Sequence, residues 1–303
     1  MVSRQLFQRA WNMSMADLVR ILGRRYRRLT GSPDQRWDYS LRAVLQSQKH
    51  MDPKMEIERW ERLWRLATVQ GHAHLTDQFR FSNKSVLEVG CGPVLGIGPM
   101  ALFLGADMFY YREPSLQREA TNSCEIKERY FRRMYAELIA NYGQRHEFAP
   151  WYSRVMEQCA PIHLGARDIC HMTVSQSVLE HIPRASLGGM LADLRAATKS
   201  GGVGMHLVDF GPHGFDDGTL MSLYRRDRAI EPAGLNLLRK SDLESAFSGA
   251  GFELLASLVY KADDVDRSQV HVSWRACSDA DLCTRVAVFL VGNAASASGV
   301  TSG

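Results

Sequence analysis

The stretch that decides the fold is Val86-Leu87-Glu88-Val89-Gly90-Cys91-Gly92. A short, mostly apolar strand runs into a turn with glycine at alternate positions. Glycine reaches backbone conformations closed to other residues and lets the main chain approach a ligand closely. The chain beyond, from Gly92 through Gly98, leads into a helical stretch that reaches about Leu104. The turn therefore lies at a helix N-terminus, where free N–H groups face outward.

A dinucleotide fingerprint would place glycines as G-x-G-x-x-G. Here Leu95 stands at the third glycine position and Gly96 follows it. Glu88 sits just before the turn, where a pyrophosphate would favour positive potential, so the turn suits a ligand carrying an ammonium and a sulfonium. Alone, it reads equally well as a glycine-rich turn with no ligand. A second feature favours a ligand. Tyr110-Tyr111-Arg112-Glu113-Pro114-Ser115 ends the next strand with a carboxylate. An acid about 20 residues past the glycines is placed to accept hydrogen bonds from ribose hydroxyls.

Outward from this point the chain alternates strands and helices. Strands are predicted at Ser85–Gly90, Met108–Arg112, Pro161–Leu164, Met172–Ser177, Gly202–Phe210, Phe252–Tyr260 and Thr284–Val291. Helices are predicted at Gln117–Asn141, Ala185–Thr198 and Ser241–Gly249, the last opened by a capping box of Ser241 and Glu244. Phe148–Tyr152 reads as an irregular aromatic stretch. Such alternation predicts an α/β fold: a Rossmann-like, mostly parallel sheet of seven strands with helices on both faces. Ligands in such sheets lie beyond the carboxyl ends of the strands, where strand order switches.

Residues 1–80 read as a helical N-terminal extension or lid. Leu6–Leu29 and Met55–Val69 carry apolar residues at helical spacing, with a break at Gly31-Ser32-Pro33-Asp34 between them. Residues 81–292 form the main domain. The insertion 115–160 and the segment 212–240 are expected to cap the acceptor side. The tail 293–303, rich in Ala, Ser and Gly, is expected to be disordered.

The motifs together resemble the class I S-adenosylmethionine-dependent methyltransferases of small-molecule type. VLEVGCGP looks like their motif I, and YYREPS like their second-strand motif. Val174 through Pro183, VSQSVLEHIP, is similar to the fourth-strand "SxxVLEHI" element, and Lys199-Ser200-Gly201-Gly202 to the turn before strand five. Leu237 through Asp242, with Ala250-Gly251-Phe252, resembles the "LRxSD…AGF" element. The resemblance implies S-adenosyl-L-methionine as cofactor, with S-adenosyl-L-homocysteine as product. It implies that Glu88, Gly90, Cys91 and Gly92 line the methionine part and that Glu113 and Pro114 hold the ribose. It also implies that Asp168 and Ile169 meet the adenine, and that Ser175 and Gln176 lie at the cofactor's edge. Arg112 departs from the small apolar residue usual before the acid.

Methyl transfer to a hydroxyl needs a base, and histidine is the natural one near neutral pH. His181, His213 and Asp209 are the candidate catalytic residues, at the mouth of strands four and five. His206, inside a strand, reads as structural. His213, Asp216 and Asp217 raise the thought of a metal, but acids on a turn are more often solvated, and no metal is expected. The reading is O-methylation of a small molecule or a sugar or glycan. The alternatives are N-methylation and a non-catalytic cofactor-binding scaffold subunit. The aromatics Tyr130, Phe131, Tyr135, Tyr142, Trp151 and Tyr152 read as core.

Composition bounds the rest. A 45% hydrophobic, 23% charged chain of 303 residues can bury a large core and is not disordered overall. The net charge of +4 is too mild to imply nucleic acid. The Asn/Asp-Pro-Pro-aromatic tetrad of nucleic-acid methylation is also absent, strand four ending instead in Ser-Gln-Ser-Val. Six cysteines without a CxxC pair read as reduced thiols of a cytoplasmic protein. Seven arginines and one acid between Arg4 and Arg28 suggest peripheral membrane contact through residues 4–29, a presequence, or an ordinary solvated helix. Monomer and homodimer both stay open.

Overall fold

A computed structural model describes residues 37–163, 165–213, 219–229 and 234–294. Leu6–Leu29, the Gly31–Asp34 break, and Asp216 and Asp217 lie outside these residues, as does the tail from residue 295.

Seven strands form one sheet in the order β3-β2-β1-β4-β5-β7-β6. They are β1 Ser85–Val89, β2 Met108–Arg112, β3 Cys159–Pro161, β4 Cys170–Gln176, β5 Thr198–Asp209, β6 Glu253–Ala262 and β7 Thr284–Gly292. The first five run parallel, and β7 is antiparallel to both β5 and β6. Strand order reverses beside β1, which pairs with β2 on one side and β4 on the other. In open α/β sheets such a reversal is where the ligand crevice lies, here at the carboxyl ends of β1 and β4. β1 is apolar on both faces because helices cover both: Val86 faces one core cluster and Leu87 and Val89 the other.

Five helices do most of the covering: α1 Pro53–Ala67, α2 Arg132–Tyr142, α3 Phe148–Gln158, α4 Arg184–Ala197 and α5 Lys240–Gly249. On one face, Ile57, Trp60 and Leu63 of α1 share a core cluster with Val86, Met205 and Leu290 of the sheet. Burying three such side chains contributes roughly 5–9 kcal/mol. The helix is thus part of the core rather than a loose appendage. Tyr130, Phe131 and Trp151 are fully buried in the same cluster, as core aromatics. On the other face, Leu191 and Leu194 of α4 and Leu243 and Phe247 of α5 pack on Leu87, Val89 and Phe289.

Several local expectations need correction. The Gln117–Asn141 helix is broken: Ser123 caps a new start by accepting the Ile126 N–H, and a π-helical stretch at Lys127–Phe131 precedes α2. Phe148–Tyr152 is not irregular but opens α3, since its aromatics fall on a buried helical face. The third strand lies at Cys159–Pro161, before the predicted Pro161–Leu164. The capping acid of α5 is Asp242, which accepts the Arg239 N–H at 2.7 Å. Ser241 instead donates its hydroxyl to Asp281, and Glu244 pairs with Lys240. Asn293, at the head of the expected tail, is buried and donates its amide to Thr198 O at 2.6 Å. All six cysteines are free. Among the described residues no helix is long and apolar enough to cross a membrane.

Candidate functional site

The glycine turn leaves β1 at the crevice. Gly90 and Gly92 both have positive φ, at 74° and 66°. A β-carbon on Gly90 would lie 2.3 Å from Val178 Cγ2, so this glycine lets β1 and the loop after β4 touch. Gly92 is open by contrast. Its β-carbon would meet only the Tyr39 hydroxyl, at 4.0 Å. Leu95 and Gly96 then take two consecutive left-handed conformations, with φ of 69° and 48°. The displaced third glycine has a local cause: a β-carbon at residue 96 would lie 2.1 Å from Glu88 Oε2.

Glu88 is buried beneath this turn. Its Oε2 accepts the Ile97 N–H at 2.9 Å, so the carboxyl ties the turn to the strand. Burial pushes its pKa up to about 8, with the charge of Glu56 adding to the rise. Gln176, at the end of β4, is near enough to influence that charge yet outside hydrogen-bond geometry. Both polar atoms of the buried Gln176 amide lack a hydrogen-bond partner among the described residues.

Glu113 sits beside Gly92. Its carboxylate accepts the Gly92 N–H at 3.3 Å and the Ser115 N–H at 3.0 Å. Burial raises its pKa and the two N–H groups oppose the rise. Pro114 is exposed next to it. Tyr39 is buried over the turn, and its hydroxyl pKa is raised, first by burial and then by Glu113 and Cys91. The Trp37 N–H donates to Ser115 Oγ at 3.0 Å. Residues 37–39 therefore lie beside Gly92 and Glu113. A lone tyrosine ahead of an amphipathic helix gives no sequence signal of this role.

The second half of the site gathers the candidate catalytic residues. His181 and His213 meet edge to face, with ring centroids 4.8 Å apart. His181 donates its Nδ1–H to Gly234 O at 2.5 Å. His213 donates its Nε2–H to Asp209 O at 2.9 Å and lies 3.9 Å from the carboxylates of both Asp209 and Glu180. Glu180 was not singled out from the sequence, yet it is the buried centre of the group. Its Oε1 accepts the Asp209 N–H at 3.3 Å, while Oε2 has no partner among the described residues. Burial pushes its pKa up to about 8. Burial lowers the His181 pKa, and the charges of His213 and Lys49 lower it further. Asn236 latches the loop by donating its amide to Leu179 O and Ile182 O, at 2.7 and 2.8 Å. The backbone N–H of the same residue donates to Glu180 O at 2.9 Å.

Three sequence assignments change. Asp168 and Ile169 lie before β4, where their N–H groups donate to Ala196 and Ala197 at the end of α4. That is the amino edge of the sheet, at the start of β4 rather than at its carboxyl end. Neither is placed to meet an adenine. Ser175 is fully buried, with Oγ 2.9 Å from His206 Nδ1 inside the sheet, so it does not reach the edge. Cys91 stays within the glycine turn, its thiol buried and its pKa raised by desolvation. His206 is wholly buried against Phe247, in keeping with its structural reading.

No family model matches the chain, and no curated protein matches it. Solved structures do. An S-adenosylmethionine-dependent methyltransferase from Mesorhizobium loti is 11% identical, with 73% of this chain and 96% of that chain covered and a TM-score of 0.39. The 1,6-didemethyltoxoflavin-N1-methyltransferase of Burkholderia thailandensis, solved with 1,6-didemethyltoxoflavin and S-adenosylhomocysteine, is 15% identical, covering 85% and 91%, with a TM-score of 0.37. The [4+2]-cyclase SpnF is 13% identical, covering 71% and 76%, with a TM-score of 0.37. All three TM-scores lie below 0.5, and the fold rests on the strand order and pairing of this chain itself.

Proposed function

We propose that this chain transfers a methyl group from S-adenosylmethionine to a hydroxyl of a small molecule or glycan, with a histidine of the His181–His213 pair as base. The observation that carries this reading is the adjacency set by Gly90 and Val178. It brings the glycine turn against the loop that carries Glu180 and His181, the latter in contact with His213.

The seat's residues fit the cofactor. Gly92 leaves open space, and the Glu113 carboxylate keeps acceptor capacity beyond its two backbone donors. The Gln176 amide, buried without a partner, is the kind of group a ligand satisfies. Gly90, Gly92 and Gln176 would face the methionine part, and Glu113 the ribose. The cofactor supplies an electrophilic methyl group when bound. The chain supplies alignment and a base. His181 is suited to that task, because its lowered pKa keeps the imidazole neutral near pH 7. Its Nδ1–H is held by Gly234, which leaves Nε2 to take a proton.

Titration calorimetry with S-adenosylmethionine should give one site per chain, and Gly90→Arg should abolish it. An absence of binding by the native protein overturns the reading. Once an acceptor is in hand, His181→Ala and His213→Ala should each slow turnover roughly 10²- to 10⁴-fold. Unchanged turnover in both would point to an amine acceptor, which attacks unprotonated.

A further inference from the structure

We propose that Glu180, His181 and His213 form a binding site for a divalent cation of the zinc class. One donor atom from each lies within 4.8 Å of the others. The loop after β4 supplies two consecutive donors and the loop after β5 supplies the third.

Three observations on the same residues support it. Glu180 is 3% exposed, and its Oε2 has no hydrogen-bond partner among the described residues. A buried carboxylate oxygen left unpaired costs free energy that a ligand recovers. Its other oxygen is fixed by the Asp209 N–H, so the group is held rather than free to swing away. Both imidazoles donate one ring N–H to a backbone carbonyl, Gly234 O and Asp209 O. For His181 that is the outer arrangement that orients a metal-ligating histidine and leaves Nε2 with a lone pair, whereas His213 Nε2, 3.9 Å from Glu180 Oε1, must give up its bond to Asp209 O to ligate.

The donor set decides the class of ion. Two imidazole nitrogens and one carboxylate oxygen suit a first-row transition ion better than calcium or magnesium, which take mostly oxygen. Three protein ligands leave a position open, as in zinc sites that meet a substrate rather than structural ones. Zinc at about 2.0–2.1 Å from each donor needs donor separations of roughly 3.3 Å. The side chains must therefore close by about 1.5 Å at most, a shift the ring of His213, 22% exposed on its loop, can make. The carboxylate of Asp209, 3.9 Å from His213 Nε2, is near enough to support the ion's charge. The positive charge of Lys49 acts on both Glu180 and His181. An ion here would hold the acceptor's oxygen at its open position and occupy the imidazole lone pairs, so the histidine-base role proposed above belongs to the metal-free chain. That consequence, unlike the site itself, rests on the methyl-transfer reading above.

The test uses the full chain stripped with a chelator and titrated with cobalt(II), read by visible absorption, and with zinc, read by calorimetry. The same samples are titrated with S-adenosylhomocysteine. The native protein should bind one equivalent of each metal. His181→Ala, His213→Ala and Glu180→Gln should each weaken metal binding at least tenfold while S-adenosylhomocysteine affinity stays within threefold. Retained S-adenosylhomocysteine binding shows that each variant is folded. Where one variant fails to fold, the others carry the comparison. Metal affinity equal in all variants, or no saturable metal binding by the native protein, overturns the proposal. Metal binding without S-adenosylhomocysteine binding would support the site and overturn the methyl-transfer reading.

Discussion

Gly90 and Val178 stand in a contact that no side chain at residue 90 can share: an added β-carbon would lie 2.3 Å from Val178 Cγ2. Gly90→Ala should therefore push the glycine turn away from the loop that carries Glu180 and His181. Its φ of 74° adds strain for any L side chain. The expected loss is about 2–4 kcal/mol in urea unfolding, combining overpacking and backbone strain. Adding Val178→Ala should restore the overpacking share and leave about 1 kcal/mol of backbone strain. A double variant no more stable than Gly90→Ala would show that the contact is not what forbids a side chain.

Glu88 makes stability depend on pH with an unusual sign. Its carboxyl ionises at about 8 in the folded chain and near 4.5 when unfolded. Between those values the folded state holds a proton that the unfolded state has released. Its contribution is therefore full below pH 4.5 and is lost as pH rises toward 8. Glu88→Gln should flatten this part of the profile, by on the order of 2–4 kcal/mol between pH 5 and pH 8. Chemical denaturation across that range measures it, and parallel profiles for the two proteins would contradict it.

His206 acts in the opposite sense. Burial lowers its pKa from 6.5 to about 3, so below pH 6.5 only the unfolded state takes up the proton. Stability from this residue is present above pH 6.5 and drains as pH falls toward 3. His206→Gln keeps a partner for Ser175 Oγ, now 2.9 Å from Nδ1, without titrating. The variant should lose less stability than the native chain between pH 6.5 and pH 4. Equal acid midpoints in thermal melts would exclude this source.

Arg239 is 1% exposed, and the partners its guanidinium contacts are carbonyls and rings. It donates to Phe210 O at 3.2 Å, to Asp281 O at 3.0 and 3.2 Å, and to Thr284 O. The faces of Phe210 and Tyr224 flank it, 4.8 and 5.3 Å from the ring centroids. It thus ties the loop after β5, which leads to His213, to the start of β7. Arg239→Ala leaves those carbonyls unpaired and should cost roughly 3–5 kcal/mol. Arg239→Lys should recover less than half, because an ammonium lacks the planar fork. Recovery to native stability by lysine would mean that charge alone suffices.

The sequence by itself determined the fold and the left-handed glycine turn. Strand periodicity, the glycine turn and the acid at residue 113 are local signals, and β1 and β2 fall where those signals put them. The turn after β1 needs left-handed backbone at residues 90 and 92, and only glycine supplies it cheaply. The sequence also marked His181, Asp209 and His213, since residues just past parallel strands must lie at one mouth. Tertiary structure decided the rest. Whether Asp168 reaches the crevice depends on the length of the path from β3 to β4, and that path delivers it to the far edge. Whether Ser175 faces a ligand depends on strand register, which points it at His206. Glu180 became the centre of the histidine cluster only because the loops after β4 and β5 enclose it. Burial and an unpaired oxygen are properties of three-dimensional neighbours. Tyr39 covers Gly92 from about fifty residues away, a contact set by packing across the chain rather than by any local pattern.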